Sequence, residues 1–195
     1  MLYLLRHGET DYNRTRRVQG QLDSQLNDLG RQQARAMAEL LARLIPDPSG
    51  WRLVSSPLSR TRDTAQAVAD ALGLTVETDE RLIEISCGDW QDRTYAELHA
   101  EHPEVFGRRD WFFNAPGGET YEQVMNRVSD WLGEQPPEPQ RRVIAVSHGV
   151  AGRLLRGAYA GLPREAVLQQ DVPQDALFRL QGGQIERIAC DPVAA

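Results

Sequence analysis

The chain has 195 residues, 41% of them hydrophobic and 26% charged, and its formal net charge at pH 7 is −6. This length suits one domain with a sizeable core, and the composition is typical of a globular protein. The acidic balance argues against a dedicated binder of nucleic acid or anionic membranes, and no stretch approaches the roughly 20 apolar residues of a membrane span. All 22 basic residues are arginine, which excludes a Schiff-base lysine and a P-loop lysine.

Predicted strands and helices alternate from the N-terminus onward. The apolar run 2–5 predicts a buried strand, and a polar, arginine-rich loop follows it to about Ser24. A helix is predicted to begin near Asn27, whose side chain can cap it, and Pro46 ends its apolar pattern. The segment 52–55 predicts a second buried strand, which leads into a second amphipathic helix.

A third strand is predicted around 74–77, and the pattern then loosens over 82–118. This aromatic-rich segment is either a satellite of the core or, as we expect, the wall or lid of a ligand pocket. A helix near 119–133 precedes the clearest strand, 142–147, which runs into a further helix. The chain then predicts a hairpin that turns at Gly182 and Gly183.

This alternation predicts an α/β fold, a three-layer sandwich with a mostly parallel central sheet and helices on both faces. Residues 1–195 are predicted to form a single domain, in which 82–118 is the lid or pocket-wall region. Cys87 and Cys190 form no CxxC pair and are interpreted as free thiols. The apolar run before Arg6 is too short for a signal peptide, which favours a cytoplasmic location.

Polar groups gather where three of the predicted strands end. Arg6 and His7 follow the first strand, Arg60 lies in the first turn after the second, and His148 follows the fourth. Because the carboxyl ends of parallel strands meet at one edge of a sheet, these four side chains should converge there. Helix N-termini at that edge add positive potential. We therefore expect an electropositive pocket for a phosphate group, whose oxygens match the forked donors of arginine.

Further groups complete a set for phosphoryl transfer. Asn13, Gln19 and Gly20 are candidate phosphate donors from the loop after the first strand, and Glu84 can reach the same edge from beyond the third. The set then contains a histidine nucleophile, arginine clamps and a carboxylic acid for the leaving oxygen. The alternatives are that the histidines are buried core residues, that Glu84 serves only as a salt-bridge partner, and that Asn13 and Gln19 brace the loop.

No metal and no cofactor are predicted. Arginines beside the histidines would repel a divalent cation, and the sequence has neither HExxH nor a two-cysteine zinc spacing. His99 and His102 lie three residues apart, but the proline after them favours a helix end over a metal site. Neither GxxxxGK[ST] nor GxGxxG with a following acid is present, so a nucleotide cofactor has no support.

The chain resembles the histidine phosphatase superfamily, which includes the cofactor-dependent phosphoglycerate mutases. Its opening LLRHGETDYN is similar to the family's RHGE/S-T-x-W/Y-N, and RVQGQLDSQLNDLGRQQA is similar to the element that follows. SSPLSRTRDTA resembles S-x-L-x-R-A-x-x-T-A, RLIEISCGDW resembles L-x-E-x-x-x-G-x-W, and VSHGV resembles the second histidine element. The five elements occur in family order over roughly residues 2 to 155.

The resemblance implies a nucleophilic His7 that becomes phosphohistidine during turnover. It implies a phosphoryl group held by Arg6, Asn13, Arg60 and His148, and by backbone N–H groups near Gly149. Glu84 would protonate the leaving alcohol and then deprotonate the water that cleaves the intermediate. Neutral His7 must be the attacking form, and the neighbouring arginines lower its basicity in the required direction.

The sequence departs from the family pattern near the proposed acid, where Cys87 replaces a common aromatic residue and Gln91-Asp92 replaces Glu-Gly. These departures leave the predicted reaction unchanged, but they affect the prediction of which substrate class the protein accepts. The PGGET stretch at 116–120 resembles the broad phosphatase branch, and the mutase insertion before it is missing. We expect a metal-independent phosphomonoesterase that acts on small organic phosphates.

Two alternative functions stay open. The first is a 2,3-bisphosphoglycerate-dependent phosphoglycerate mutase, and the less favoured second is a relative that binds phosphate or phosphoprotein without turnover. The expected partner is a small phosphorylated metabolite, and base rates favour a homodimer. Arg93, Arg108 and Arg109 are candidates for recognising a second anionic group of the substrate.

Overall fold

A mixed six-stranded sheet forms the centre of the computed structural model, which describes residues 1–193. Its strands are β1 (Leu2–Arg6), β2 (Arg52–Ser55), β3 (Val76–Thr78), β4 (Val143–Ser147), β5 (Ala176–Gln181) and β6 (Gln184–Ala189). They lie in the order β3-β2-β4-β1-β5-β6. The first four strands in this order run parallel, whereas β5 is antiparallel to β1 and to β6. The predicted mostly parallel sheet is confirmed.

Helices cover both faces of this sheet. Within residues 1–193 the α-helices are α1 (Asp11–Arg14), α2 (Asp28–Leu44), α3 (Ser59–Leu72), α4 (Tyr95–Glu101), α5 (Pro103–Phe106), α6 (Tyr121–Gly133), α7 (Gly149–Ala160) and α8 (Arg164–Gln169). Because strand side chains alternate, β1 sends Tyr3 and Leu5 to a core shared with α2 and α3. Leu2 and Leu4 face the other way and join a core shared with α6 and α7. The predicted three-layer sandwich is confirmed.

None of the described helices is both long and apolar enough to cross a lipid bilayer.

Local hydrogen bonds set the ends of the elements that frame the sheet. Asn27 Oδ1 accepts the Gly30 N–H at 2.9 Å, so α2 begins where the sequence predicts. At the end of α3 the Leu74 N–H still donates to the Ala69 carbonyl at 3.1 Å. The backbone of residue 74 therefore closes the helix, and β3 begins at Val76 and not at the predicted 74.

Outside the segment 82–118, two short helices were not predicted, and a third helix begins later than expected. α1 lies in the stretch predicted as a polar loop, where Asn13 Oδ1 accepts the Thr10 N–H at 3.1 Å in a capping box. α8 has only six residues, which is too short for a helical period to be recognised. α6 begins at Tyr121 and not at 119, because the Thr120 hydroxyl caps it.

The segment 82–118 contains α4, α5 and two short 3-10 turns, Gly88–Trp90 and Trp111–Asn114, packed around aromatic rings. Phe106 stacks on Trp111 with the ring centroids 4.5 Å apart, and Trp90 lies 6.2 Å from Trp111. Trp90 is buried and belongs to the same core as α6 and α7. The segment is therefore packed onto the sandwich, and one side of it faces the cavity described next.

Candidate active site

A cavity of about 240 Å³ opens at the carboxyl ends of the parallel strands. Its walls include Arg6, His7, Asn13, Gln19, Gly20, Arg60, Glu84 and Gly149, which are eight of the nine residues predicted for the site. The ninth, His148, lies directly behind the wall with its ring centroid 5.2 Å from that of His7. The two histidines lie close together because β1 and β4 are parallel neighbours. Arg6 pairs with Ser147, so the residues that follow them, His7 and His148, meet at the same edge of the sheet.

His7 is held in one tautomer by its own neighbour along the chain. Its Nδ1 lies 2.7 Å from the Gly8 carbonyl oxygen, and since a carbonyl only accepts, Nδ1 carries the hydrogen. The lone pair of the neutral ring is therefore on Nε2. Burial, and then the charges of Arg60 and Arg6, lower the pKa of His7 well below its ordinary value. The ring is thus neutral at pH 7, which is the nucleophilic form.

His148 is buried and is oriented by Ser56. Its Nε2 lies 2.7 Å from the Ser56 hydroxyl, while Nδ1 is buried and has no partner within residues 1–193. Burial, followed by the charge of Arg60, lowers the pKa of His148 well below its ordinary value. Both imidazoles are therefore neutral polar groups that face two buried cations.

The two predicted arginine clamps are tied to backbone carbonyls and not to carboxylates. Arg6 donates through Nη1 to the Val172 carbonyl at 2.6 Å. Arg60, which is 1% exposed, donates to the carbonyls of Leu22 at 2.8 Å and Gly20 at 2.7 Å. Burial lowers the pKa of Arg60 to about 10. The Nε groups of both arginines are buried without a partner in the described part of the chain. An anion in the cavity would compensate this concentration of charge.

Glu84 occupies the N-terminus of α7. Its Oε2 accepts the Val150 N–H at 3.1 Å, and its Oε1 accepts the N–H groups of Ala151 and Ile85, both at 3.0 Å. This corrects one expectation, because two of the backbone N–H groups near Gly149 serve the Glu84 carboxylate and not a phosphoryl group. The arrangement is favourable because a carboxylate satisfies unpaired donors at the positive end of the helix.

The loop after β1 contributes Asn13 and Gln19 in two different ways. Asn13 Oδ1 accepts hydrogen bonds from the Thr10 N–H and the Gln174 amide, both at 3.1 Å, and its Nδ2 donates to no protein group within residues 1–193. Gln19 uses both ends of its amide, since Oε1 accepts from the Thr10 hydroxyl at 3.2 Å and Nε2 donates to Ser24. Asn13 can therefore donate into the cavity, whereas the side chain of Gln19 braces the loop.

Gly20 is needed for the shape of this loop. Its φ is +55°, and a β-carbon on it would collide with the Gln91 side-chain oxygen, which accepts the Gln21 N–H at 2.8 Å. The Gly20 carbonyl meanwhile accepts from Arg60. Gly20 thus lines the cavity through its backbone, and Gln91, one of the departures from the family pattern, packs against it.

Arg17, Arg153 and Val172 line the cavity and were missed from the sequence, whereas Tyr95 and Trp111 lie in the segment 82–118 that was predicted to form its wall. Arg153 follows Gly149 by four residues on α7, so the helical period places both on one face, which is a signal that sequence reasoning did not use. Conversely, Arg93, Arg108 and Arg109 do not line the cavity. Arg93 pairs with Glu101 at 2.5 Å, and Arg108 pairs with Asp110 at 3.0 Å.

Cys87 lines the cavity but is 3% exposed. Burial raises the pKa of its thiol to about 12, so the sulfur is neutral at physiological pH and lacks the nucleophilicity of a thiolate.

The sequence model of the histidine phosphatase superfamily (branch 1) matches residues 2–185. The chain belongs to this superfamily. It is 40% identical over 173 residues to the glucosyl-3-phosphoglycerate phosphatase of Mycobacterium tuberculosis, which covers 83% of this chain and 76% of that protein. It is also 37% identical over 193 residues to a probable phosphoglycerate mutase of Salmonella paratyphi C, covering 96% of this chain and 83% of that protein.

Solved structures of this superfamily share the fold. The mycobacterial glucosyl-3-phosphoglycerate phosphatase in complex with VO3 superposes with a TM-score of 0.78 at 36% identity, covering 96% of both chains. A structure described as mycobacterial hydrolase 2 gives a TM-score of 0.80 at 33% identity over 100% of this chain and 92% of its own. The sheet and helices described above are therefore those of the superfamily.

Proposed function

We propose that this protein is a metal-independent phosphomonoesterase that works through a phosphohistidine on His7. One observation carries the proposal: Nδ1 of His7 is committed to the Gly8 carbonyl, which leaves the Nε2 lone pair as the nucleophile in a cavity lined by Arg6 and Arg60. The lowered pKa of His7 keeps that lone pair available at neutral pH. The superfamily assignment supports the same activity.

In the first step Nε2 of His7 attacks phosphorus, and the bond between phosphorus and the leaving oxygen breaks. Glu84, protonated at this stage, gives its proton to the leaving oxygen, so that a neutral alcohol departs. Negative charge on the transferring group is stabilised by Arg6, Arg60, Asn13, His148 and the Gly149 N–H. The product is a phosphohistidine and an ionised Glu84.

In the second step water attacks the phosphohistidine. Glu84 takes a proton from the water as the new bond between phosphorus and oxygen forms, and the bond between Nε2 and phosphorus breaks. His7 returns to its neutral tautomer, Glu84 is protonated again, and inorganic phosphate leaves. Each proton lost in one step is regained in the other, so the cycle needs no additional acid or base.

The substrate we propose is a small phosphorylated metabolite of the sugar or glycerate class. The cavity volume of about 240 Å³ lies below the roughly 300–1,000 Å³ usual for drug-sized ligands, which favours a small molecule over a folded phosphoprotein. The relatives named as glucosyl-3-phosphoglycerate phosphatases support that class. We further propose one domain over 1–195 with 82–118 as the pocket wall, a cytoplasmic location and a homodimer.

The test is phosphate release from p-nitrophenyl phosphate in excess EDTA. The wild-type protein should hydrolyse this substrate. In His7→Ala the rate of phosphate release should fall by several orders of magnitude because the nucleophile is missing. His99→Ala is the matched control, since it removes an exposed histidine that does not line the cavity. Loss of activity in EDTA would refute the metal-independent mechanism, and full activity in His7→Ala would refute the phosphohistidine.

The mutase alternative has its own support in the 37% identity to a probable phosphoglycerate mutase. It predicts formation of 2-phosphoglycerate from 3-phosphoglycerate that depends on added bisphosphoglycerate. Coupled enzymatic detection of 2-phosphoglycerate distinguishes the two, because a phosphatase would release inorganic phosphate instead. Specific phosphate binding without either product would favour the non-catalytic relative.

A further inference from the structure

Arg153 is a cation of the cavity wall whose side chain no acceptor among residues 1–193 engages. The other arginines there are occupied: Arg17 pairs with Asp92 at 3.6 Å, and Arg6 and Arg60 donate to backbone carbonyls. The side chain of Arg153 makes no hydrogen bond or ion pair within residues 1–193, and its Nε is buried without a partner. The Nε of a guanidinium so placed has lost hydration without regaining an equivalent contact.

The charges around Arg153 do not neutralise it. Burial lowers its pKa, while Glu84 and Asp171 act on it favourably and Arg109 unfavourably. Glu84 is engaged by backbone N–H groups of α7, and Asp171 pairs with Arg156 at 3.7 Å and with Arg187 at 3.1 Å. Both acidic groups are therefore committed elsewhere, and an anion in the cavity is the partner that Arg153 lacks.

We infer that Arg153 binds a carboxylate on the leaving alcohol of the substrate, so that the enzyme prefers phosphorylated hydroxy acids. The inference rests on the proposed function, since it places the phosphoryl group at His7. Arg6 and Arg60 supply two cations to the phosphoryl end, whereas Arg153 supplies one, which matches a monoanion better than a second phosphate. The fork of a guanidinium also fits a carboxylate through two parallel hydrogen bonds.

The surface next to Arg153 suits the carbon chain that would join the two anions. Tyr95 and Trp111 both line the cavity, and their rings meet edge to face with centroids 5.3 Å apart. Arg6 and Arg153 both lie close enough to Tyr95 for their charges to act on its hydroxyl. An apolar wall flanked by cations is complementary to a short aliphatic chain with an anion at each end.

The experiment compares two substrates that differ at one carbon, 3-phosphoglycerate with a carboxylate and glycerol 3-phosphate with a hydroxymethyl group. We expect wild type to prefer 3-phosphoglycerate in kcat/KM by about 10- to 100-fold, as expected for a hydrogen bond between charged groups. Arg153→Gln should bring the ratio of the two kcat/KM values close to one, mainly through KM, and Arg153→Lys should restore part of it. The inference is overturned if wild type shows no preference or if Arg153→Gln keeps it.

Arg108→Gln is the matched control, because it removes an arginine of the neighbouring segment that does not line the cavity. It should keep the wild-type ratio. If Arg108→Gln removes the preference and Arg153→Gln does not, the anion is recognised by the arginine first proposed from the sequence, and the assignment to Arg153 is wrong.

Turnover of p-nitrophenyl phosphate by wild type tests the proposed function separately. If that turnover is absent, the proposed function fails, and binding then decides the role of Arg153. Calorimetry in the His7→Ala background would compare 3-phosphoglycerate with glycerol 3-phosphate. A tighter Kd for the carboxylate that disappears when Arg153→Gln is added supports the inference, and equal Kd values for the two compounds overturn it.

Discussion

The Ala151 N–H donates to Oε1 of Glu84 at 3.0 Å, which fixes the proposed acid on the first turn of α7. Oε1 also accepts from Ile85, whereas within the described residues 1–193 Oε2 accepts only from Val150. Oε2 therefore has the lone pair that can carry a transferable proton. It also lies on the side of Gly149, since a β-carbon on Gly149 would stand 3.6 Å from it.

Glu84→Gln should separate the proton transfer from the other functions of this side chain. The amide oxygen can still accept an N–H of α7, so we expect the fold to be kept. Hydrolysis of an alkyl phosphate should fall by about 10²–10⁴-fold, because its leaving oxygen needs a proton. The stopped-flow burst of p-nitrophenolate should survive, since that anion leaves without one. A burst lost to the same degree as alkyl phosphate hydrolysis would contradict an acid role.

Arg127 ties the segment that carries Glu84 to α6. Its guanidinium donates to the carbonyls of Arg81 at 2.9 Å, Ile83 at 2.6 Å and Glu84 at 3.1 Å, and it pairs with Glu119 at 3.0 Å. Arg127→Leu should lower the free energy of unfolding by about 2–4 kcal/mol, because several acceptors lose a charged donor at once. It should also reduce kcat at least about tenfold by releasing the acid.

Urea unfolding and kcat measurements check both effects of Arg127→Leu. Arg43→Leu is the matched control, because it removes an arginine whose ion pair with Asp191 is exposed on both sides. Such a pair contributes about 0–1 kcal/mol. Equal losses of stability in the two variants would show that the network around Arg127 is no more than a surface contact.

The convergence of His7, Arg60 and His148 was predictable because it depends on local patterns. Each follows a strand recognised by its apolar run, and parallel strands bring their carboxyl ends to one edge. The contact between Arg6 and the Val172 carbonyl joins residues 166 positions apart, and no periodic pattern in the sequence predicts it. Such contacts are decided by how the loop before β5 packs, which local sequence does not determine.

The helix α4 shows a signal that was present but not used. Thr94 and Glu97 form a capping box, in which Glu97 accepts the Thr94 N–H at 2.7 Å, and the TYAE sequence is of the form that predicts one. Arg153 is a different case. An arginine in the apolar sequence of α7 can be recognised as a cavity residue only once the other face of the helix is known to pack in the core. Its orientation follows from tertiary packing and not from propensity.

Phosphate should stabilise the protein, because the cavity wall concentrates buried cations. At 100 times its Kd a ligand that binds only the folded state adds about 2.7 kcal/mol, which corresponds to a rise in Tm of about 5–11 °C for a chain of this size. Arg60→Ala should lose most of the shift. Arg62→Ala, on the exposed face of the same helix, should keep it. Scanning calorimetry with chloride at equal ionic strength checks this, and an equal shift in both variants would place the anion elsewhere.

The two buried imidazoles should make stability depend on pH between about 5.5 and 7. Burial, and the charge of Arg60, lower the pKa values of His7 and His148 well below the value of about 6.5 expected in the unfolded chain. Above pH 6.5 both states are neutral and the stabilisation is complete. Below it the unfolded chain binds protons that the folded one does not, so the free energy of unfolding falls as the pH decreases.

The expected slope is at most about 1.4 kcal/mol per pH unit for each histidine. Urea unfolding of wild type from pH 7.5 to 5.5, in buffers without phosphate, measures it. The double variant His7→Asn, His148→Asn should give a flatter profile by up to about 2.7 kcal/mol per pH unit. His99→Asn removes an exposed histidine and should follow wild type. Parallel profiles for wild type and the double variant would mean that these rings are not held neutral by the fold, and the nucleophile would then need another source of activation.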